Sequence, residues 1–322
     1  MVTALGDLRR LKVPDLGPLP EDVRIDGKTC LVTGANSGLG HAAAVELARR
    51  GGNMILACRP GHPETVGEIR RLSGSEATEL IEVDLSDLRS VHSCCNELQR
   101  RGVRIDIALM NAGVMSRRSQ QTPQGYEVMF AVHFLANRVM IDRWLSDGVI
   151  GPSSRAGETP RIIFVASDSH RSAPAIDFDR FGAYTEHKMS ESMRQYAASK
   201  LVLCTYATEL SRRLNPGGTV DVAVHSLCPG GVATNITKDA PNLLRPIVAA
   251  WLRRFFQSPT TAIGPVVHLC CAPEAGNSTG MYLHMMHRKQ VSPDASDPDN
   301  GARLWEASEP LVQMSRQSRE SG

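Results

Sequence analysis

From Lys28 onward, short apolar runs recur along the chain, separated by segments with helical periodicity. TCLVT at 29–33, NMILAC at 53–58, ELIEV at 79–83 and IDIALM at 105–110 are mostly apolar without strict alternation. Such runs suit strands buried on both faces of a parallel sheet. Between them, SDLRSVHSCCNELQRR places Leu88, Val91, Cys95 and Leu98 on one helical face. Each strand with its helix takes about 25 residues, as right-handed crossovers require. The rhythm continues with a helix over 124–147, a strand RIIFVA at 161–166, a helix near 190–213 and a strand VDVAVHSLC at 220–228. Ser258-Pro259 opens a further helix, with Ser as N-cap and Pro in the first turn. GMYLH at 280–284 is the expected last strand. The pattern predicts one α/β domain, a doubly wound parallel sheet of about seven strands with helices on both faces.

No internal repeat interrupts this order. Residues 1–24, punctuated by Pro14, Pro18 and Pro20, read as an extended arm. The domain spans 25–312, GPSSRAGETP at 151–160 is a polar loop within it, and 313–322 reads as a frayed tail. A charged fraction of 22% beside 42% hydrophobic residues fits a globular chain and excludes a disordered one. With 36 basic against 34 acidic residues the net charge is +2, which argues against a nucleic-acid partner. The eight Cys form no C-x-x-C pair and lie mostly in apolar runs, as buried thiols of a reducing compartment do. No signal peptide and no transmembrane run of about 18 apolar residues is visible, so a cytoplasmic location is expected.

Strand TCLVT runs straight into Gly34-Ala35-Asn36-Ser37-Gly38-Leu39-Gly40 and then into the helical HAAAVELARR. A strand, a glycine turn and a helix N-terminus together make an anion site, because free N–H groups and the helix dipole converge there. The spacing is G-x-x-x-G-x-G, and Gly34, Asn36, Ser37, Gly38 and Leu39 are the candidate pyrophosphate contacts. The second strand ends in Ala57-Cys58-Arg59, where an acid would bind a free ribose 2′-hydroxyl. Arg59 instead suits a 2′-phosphate through charge-assisted hydrogen bonds, so NADP(H) is expected over NAD(H).

These motifs, with Asp84-Leu85, Asn111-Ala112-Gly113, Ser167, Tyr196-Ala197-Ala198-Ser199-Lys200 and Pro229-Gly230, follow one another in an order that resembles the short-chain dehydrogenase/reductase family over residues 26–310. LACR at 56–59, VASDSH at 165–170 and LWEASEPL at 304–311 resemble its retinol-dehydrogenase-like branch. The resemblance implies a Rossmann-type fold and an oxidoreductase interconverting an alcohol and a carbonyl, on a lipophilic small molecule. Tyr196 is the implied proton donor and acceptor.

Tyr196 and Lys200 lie four apart on a helix and share a face. A free Tyr titrates near ~10, and a neighbouring ammonium is expected to lower that value, bringing acid–base work within reach. Ser167, after the fifth strand, is expected to hydrogen-bond the reacting oxygen, with Ser169 as fallback. Where the family has an Asn that helps hold a water against the Lys, this chain has His133, with Asn137 one turn on. His133 is therefore either a substitute water ligand or a core histidine bonded to a carbonyl. The resemblance further assigns Asp84 and Leu85 to the adenine, Asn111, Ala112 and Gly113 to its ribose and the central sheet, and Val232 and Thr234 to the nicotinamide.

Residues 171–190 and 235–257 are the expected substrate loops. LLRPIVAAWLRRFF at 243–256 reads as a substrate cover or, alternatively, as a helix making peripheral membrane contact. No metal is expected, since His284-Met285-Met286-His287 lacks further ligands. Family members pair through helices equivalent to 124–147 and 190–213, which implies a homodimer. The competing reading is a catalytically weak NADP(H)-binding regulator or scaffold.

Overall fold

The computed structural model describes residues 15–152, 158–231 and 258–320. Eight strands form one sheet: β1 (Thr29–Thr33), β2 (Asn53–Cys58), β3 (Thr78–Glu82), β4 (Ile107–Met110), β5 (Arg161–Val165), β6 (Ala223–Cys228), β7 (Tyr282–His284) and β8 (His287–Lys289). Their spatial order is β3-β2-β1-β4-β5-β6-β7-β8. β1 to β7 run parallel, and β8 returns antiparallel to β7 with His284 opposite His287. The sequence pattern predicts seven strands. It misses β8 because His-Arg-Lys carries no apolar residue, a composition that suits an edge strand shielded by charge.

Alternation along the central strands feeds two cores. Leu31, Ala108, Ile162 and Val224 point to one, and Val32, Leu109, Ile163 and Leu227 to the other. Each fully buried Leu or Ile contributes roughly 1.5–3 kcal/mol, so both faces must be covered. Helices α1 (Gly38–Arg49), α2 (Glu64–Ser73) and α6 (Gly264–Cys271) cover the second face; α3 (Leu88–Arg100), α4, α5 (Ser192–Leu214) and α7 (Pro298–Glu320) cover the first. Helix α4 is composite: Val128–Phe130 and Ala136–Ser146 are α-helical, and Ala131–Leu135 between them is a π turn. Glu127 caps its start, accepting from the N–H groups of Met129 and Phe130.

Residues 313–320 of the expected frayed tail are part of α7. Ser315 is buried and its Oγ lies 3.0 Å from His92 Nε2 on α3. Trp305 stacks on Tyr206 of α5, and the buried Arg138 of α4 lies 4.1 Å from the Trp305 ring centre. These partners are distant in sequence, so local composition alone suggests an unanchored end. Helix α7 thereby lies across α4 and α5, the helices through which a homodimer was expected. Of the N-terminal arm, Leu16 donates its N–H to the Met286 carbonyl at 3.1 Å, and Leu16, Leu19 and Val23 pack against the second core.

Candidate active site

The sheet reverses its winding between β1 and β4, and this places a crevice beyond their carboxyl ends. Thr33 staples the two ends together: its Oγ1 accepts from the N–H groups of Asn111 (2.9 Å) and Ala112 (3.0 Å). Asn111 Nδ2 in turn donates to the Thr33 carbonyl at 2.8 Å. In the sequence Thr33 is only the last residue of the run TCLVT. Its position at the last residue of β1, before the glycines, is the signal that could have singled it out.

Gly34 and Gly38 have φ of +68° and +60°, conformations that L side chains rarely adopt. At Gly40 space is the constraint, because a Cβ there would lie 2.4 Å from both the Gly34 carbonyl oxygen and Asn111 Nδ2. Ser37, the α1 N-cap, makes no side-chain capping bond, so the helix N-terminus with its positive dipole end opens to the crevice. Asn36 and Ser37 are accessible, whereas Leu39 is buried and offers the crevice only its backbone. Arg59 is exposed at the end of β2 and has no hydrogen bond or ion pair to the described residues. Asp84 has one carboxylate oxygen fixed by Ser86, through the backbone N–H (2.9 Å) and the hydroxyl (2.6 Å). The Leu85 side chain belongs to the core. Val232, Thr234 and the loop 235–257 lie outside the described residues.

Ser167 leaves β5 in extended conformation and caps the short 3-10 turn Asp168–Ser172. Ser169 donates its hydroxyl to Ser167 Oγ at 2.9 Å, and the Ser167 hydroxyl acts on the Tyr196 phenol, favouring its ionised form. Ser169 thus stands behind Ser167 rather than in its place. Tyr196 and Lys200 share a face of α5, as their spacing requires, and Lys200 Nζ lies 5.6 Å from the Tyr196 ring centre. The Lys200 ammonium is buried and donates to the Val165 carbonyl at 3.0 Å. Burial pulls Lys200 down to about 8, with Cys204 and Cys228 opposing.

The Tyr196 phenol does not follow expectation. Burial, followed by Cys228, pushes it up to about 12, while the bond from Ser167 pulls the other way. Lys200 is not among the groups that shift it, and its ammonium donates to the Val165 carbonyl.

His133 is also resolved. It is wholly buried in the π turn, with Val114 N–H donating to Nε2 at 3.0 Å and Ser199 Oγ 2.8 Å from Nδ1. Burial, then the Lys200 ammonium, holds its titration well below the ordinary histidine range. Both ring nitrogens are occupied by protein groups, so neither is left for a water. Of the two readings its partners fit the core histidine, although they are an amide and a hydroxyl rather than a carbonyl. Gly113 lies between this ring and the lysine: a Cβ there would be 3.3 Å from His133 Nε2 and 3.8 Å from Lys200 Nζ.

Next to Ser167, Asp168 gathers a charged cluster. It pairs with Arg171 (2.9 Å), His284 (3.2 Å) and Lys289 (3.4 Å), and accepts from the Tyr282 hydroxyl at 3.2 Å. Burial opposes its ionisation, but His284, Arg171 and Lys289 outweigh it and hold the carboxyl far below the usual range. His284 and His287 face separate acidic partners, Asp168 and Asp15. Among the described residues no group of three metal-ligating side chains occurs. The eight cysteines are buried thiols outside any disulfide.

The loop at 171–190 is held in the middle, where Phe181 meets Phe130 and Phe134 edge-on and Arg303 of α7 lies 4.2 Å from the Phe178 ring centre. Its end is open: Met189 and, on the next turn, Met193 are at least half exposed, as is Met115 after the Asn111–Gly113 segment. Ser192 Oγ donates to the Ser116 carbonyl at 2.5 Å and so joins these two stretches. Three exposed methionines therefore share the segments that flank Tyr196.

Known proteins are similar to this chain. The family pattern for short chain dehydrogenase matches residues 28–176. Human (Homo sapiens) retinol dehydrogenase 13 is 33% identical over 310 residues, covering 92% of this chain and 88% of that protein. Mouse (Mus musculus) polyprenol dehydrogenase is 30% identical, covering 92% and 87%. A crystal structure of an uncharacterized protein from Mycobacterium Paratuberculosis superposes with a TM-score of 0.66 at 23% identity, covering 92% of this chain and 98% of that one. At 30% identity or more over nine-tenths of its length to these two dehydrogenases, the chain belongs to the short-chain dehydrogenase/reductase family, in its retinol-dehydrogenase-like branch.

Proposed function

We propose that this oxidoreductase interconverts an alcohol and a carbonyl on a lipophilic small molecule, with NADP(H) preferred and Tyr196 moving the proton. The observation that carries the reading is the meeting of Ser167, Tyr196 and Lys200 beside the glycine loop, at the carboxyl ends of β1, β4 and β5. In this reading Ser167 holds the substrate oxygen, and the phenol gives or takes its proton. Lys200, once turned from Val165 toward the crevice, supports the phenolate and the cofactor ribose. The nicotinamide supplies or accepts hydride when bound.

The crevice fits such a cofactor. Gly34 and Gly40 leave room where a Cβ would intrude, Gly38 turns the chain with a positive φ, and the open N-terminus of α1 faces that room. Arg59, unengaged by the described residues, supports a 2′-phosphate contact. Asp84 and Asn111–Gly113 are proposed for the adenosine, and Val232 and Thr234 for the nicotinamide. Met115, Met189 and Met193 support the lipophilic substrate, since methionine is a soft, adaptable lining for apolar ligands. Among the described residues no helix is long and apolar enough to cross a membrane. Buried thiols favour a reducing, cytoplasmic setting. Helix α7 over α4 and α5 argues against a homodimer through that face.

The test is an alcohol and aldehyde panel, retinol and retinal included, followed by nicotinamide absorbance. Tyr196→Phe should lower the rate at least ~10²-fold with NADPH affinity little changed, and wild-type turnover in that variant would overturn the mechanism. Tryptophan quenching should show tighter NADPH than NADH binding, and Arg59→Ala should lose most of that preference. Equal wild-type affinities would remove the cofactor assignment. A competing scaffold role predicts cofactor binding without turnover on any member of the panel.

A further inference from the structure

Helix α4 departs from α-helical pitch at the π turn Ala131–Leu135, with His133 at its centre. Such turns are rare and occur often where a helix must re-aim a side chain. Here the turn brings His133 against α5. The Val114 N–H donates to Nε2, so that nitrogen carries a lone pair and the ring proton sits on Nδ1. Ser199 Oγ, 2.8 Å from Nδ1, donates its own proton to the Tyr196 carbonyl at 2.8 Å. It therefore accepts from His133. The chain of donors runs one way, from Val114 through His133 and Ser199 to the backbone of Tyr196.

Two more contacts hold this arrangement. The His133 ring meets the Tyr196 ring edge-on, with centres 5.5 Å apart and planes at 90°. Asn137 Nδ2 donates to the His133 carbonyl at 2.8 Å, securing the turn itself. The histidine thus touches the tyrosine through its ring and, by way of Ser199, through its main chain.

Resting on the reading of Tyr196 as the acid/base, we propose that Ser199 and His133 are positioning residues that set where Tyr196 presents its phenol. His133 is a fixed neutral strut between the Asn111–Val114 segment and α5, and it relays no proton during turnover. A serine bonding back to its own helix is common. A buried histidine that completes that bond and also presses on the ring of the same tyrosine gives the pair a geometric task.

The experiment compares Ser199→Ala, Ser199→Thr and His133→Gln with wild type and Tyr196→Phe. Each is assayed with NADPH and whichever aldehyde of the panel, retinal included, the wild type turns over fastest. Ser199→Ala should lower kcat about 10-fold or more, because small misplacements of a reacting group are costly, while NADPH affinity stays within about 2-fold. Ser199→Thr, which keeps the hydroxyl, and His133→Gln, which can accept from Val114 and donate to Ser199, should recover most of the rate. Equal rates in wild type and Ser199→Ala, or equal losses in the Ala and Thr variants, would overturn the proposal. If Tyr196→Phe retains turnover, the acid/base reading fails instead. An independent arm needs no turnover: nitrogen NMR of histidine-labelled wild type, with His133→Gln identifying the signal. His133 should remain neutral with its proton on Nδ1 from about pH 5 to about pH 9; titration within that range, or a proton on Nε2, would refute the strut.

Discussion

Lys200 is 3% exposed, and among the described residues its ammonium has the Val165 carbonyl as its hydrogen-bond acceptor, at 3.0 Å. Burial draws its titration from 10.5 to about 8, which corresponds to roughly 3 kcal/mol of folding free energy opposed by keeping the charge inside. Lys200→Met keeps a flexible side chain of similar length and removes the charge. It also leaves the Val165 carbonyl without this donor, which costs about 1–3 kcal/mol. The balance is a gain of up to about 2 kcal/mol near pH 7, or several degrees in Tm, together with loss of turnover. The sign of the pH dependence follows from the lowered folded value. Between about 8 and about 10 the unfolded chain holds the proton that the folded chain has released. Wild-type stability therefore rises through that window, and the variant has no such rise. Thermal and urea unfolding of both proteins near pH 7, 8.5 and 10 reads the difference between them, in which the other titrating groups cancel. By about pH 10 Lys200→Met should fall behind wild type, because the neutral lysine is no longer penalised by burial and still donates to Val165. A variant less stable than wild type near pH 7, or a gap that stays constant with pH, would refute the reasoning.

Gly40→Ala should cost about 1–3 kcal/mol and weaken NADPH binding more than tenfold, because the new methyl meets the Gly34 carbonyl oxygen, a backbone atom with little freedom to yield. Urea melts and fluorescence titration would check both. Asp168, held ionised by Arg171, His284 and Lys289, contributes stability that is complete above its unfolded value of about 4 and is lost as pH falls further. Asp168→Asn should therefore lose roughly 3 kcal/mol near pH 7 and show a flatter decline in acid than wild type. Parallel acid profiles for the two proteins would count against the cluster.

Strand positions were legible because the signal is local. Runs such as Thr29–Thr33 and Asn53–Cys58 are apolar on both faces, and only a sheet covered on both sides buries them. The glycine loop was equally legible, since Gly34, Gly38 and Gly40 answer to backbone conformation and close approach, which act within a few residues or across one strand pair. Tyr196 and Lys200 share a face by helical geometry alone. Beyond that, the outcome depended on partners far along the chain. His133 is bonded to a hydroxyl 66 residues away, and no local pattern distinguishes that partner from a water. Burial puts Tyr196 above its ordinary value, whereas spacing suggested the reverse. Ser315, Trp305 and Arg138 turned an apparent tail into a helix across α4 and α5. Asp168 reads as an ordinary polar residue until β7 and β8 bring His284 and Lys289 to it. Sequence by itself determined which segments must be buried and which backbone must lack a Cβ, because those demands are met within each element. Tertiary structure alone decided where charge and protons reside, because desolvation and hydrogen bonding depend on groups that only the folded chain assembles.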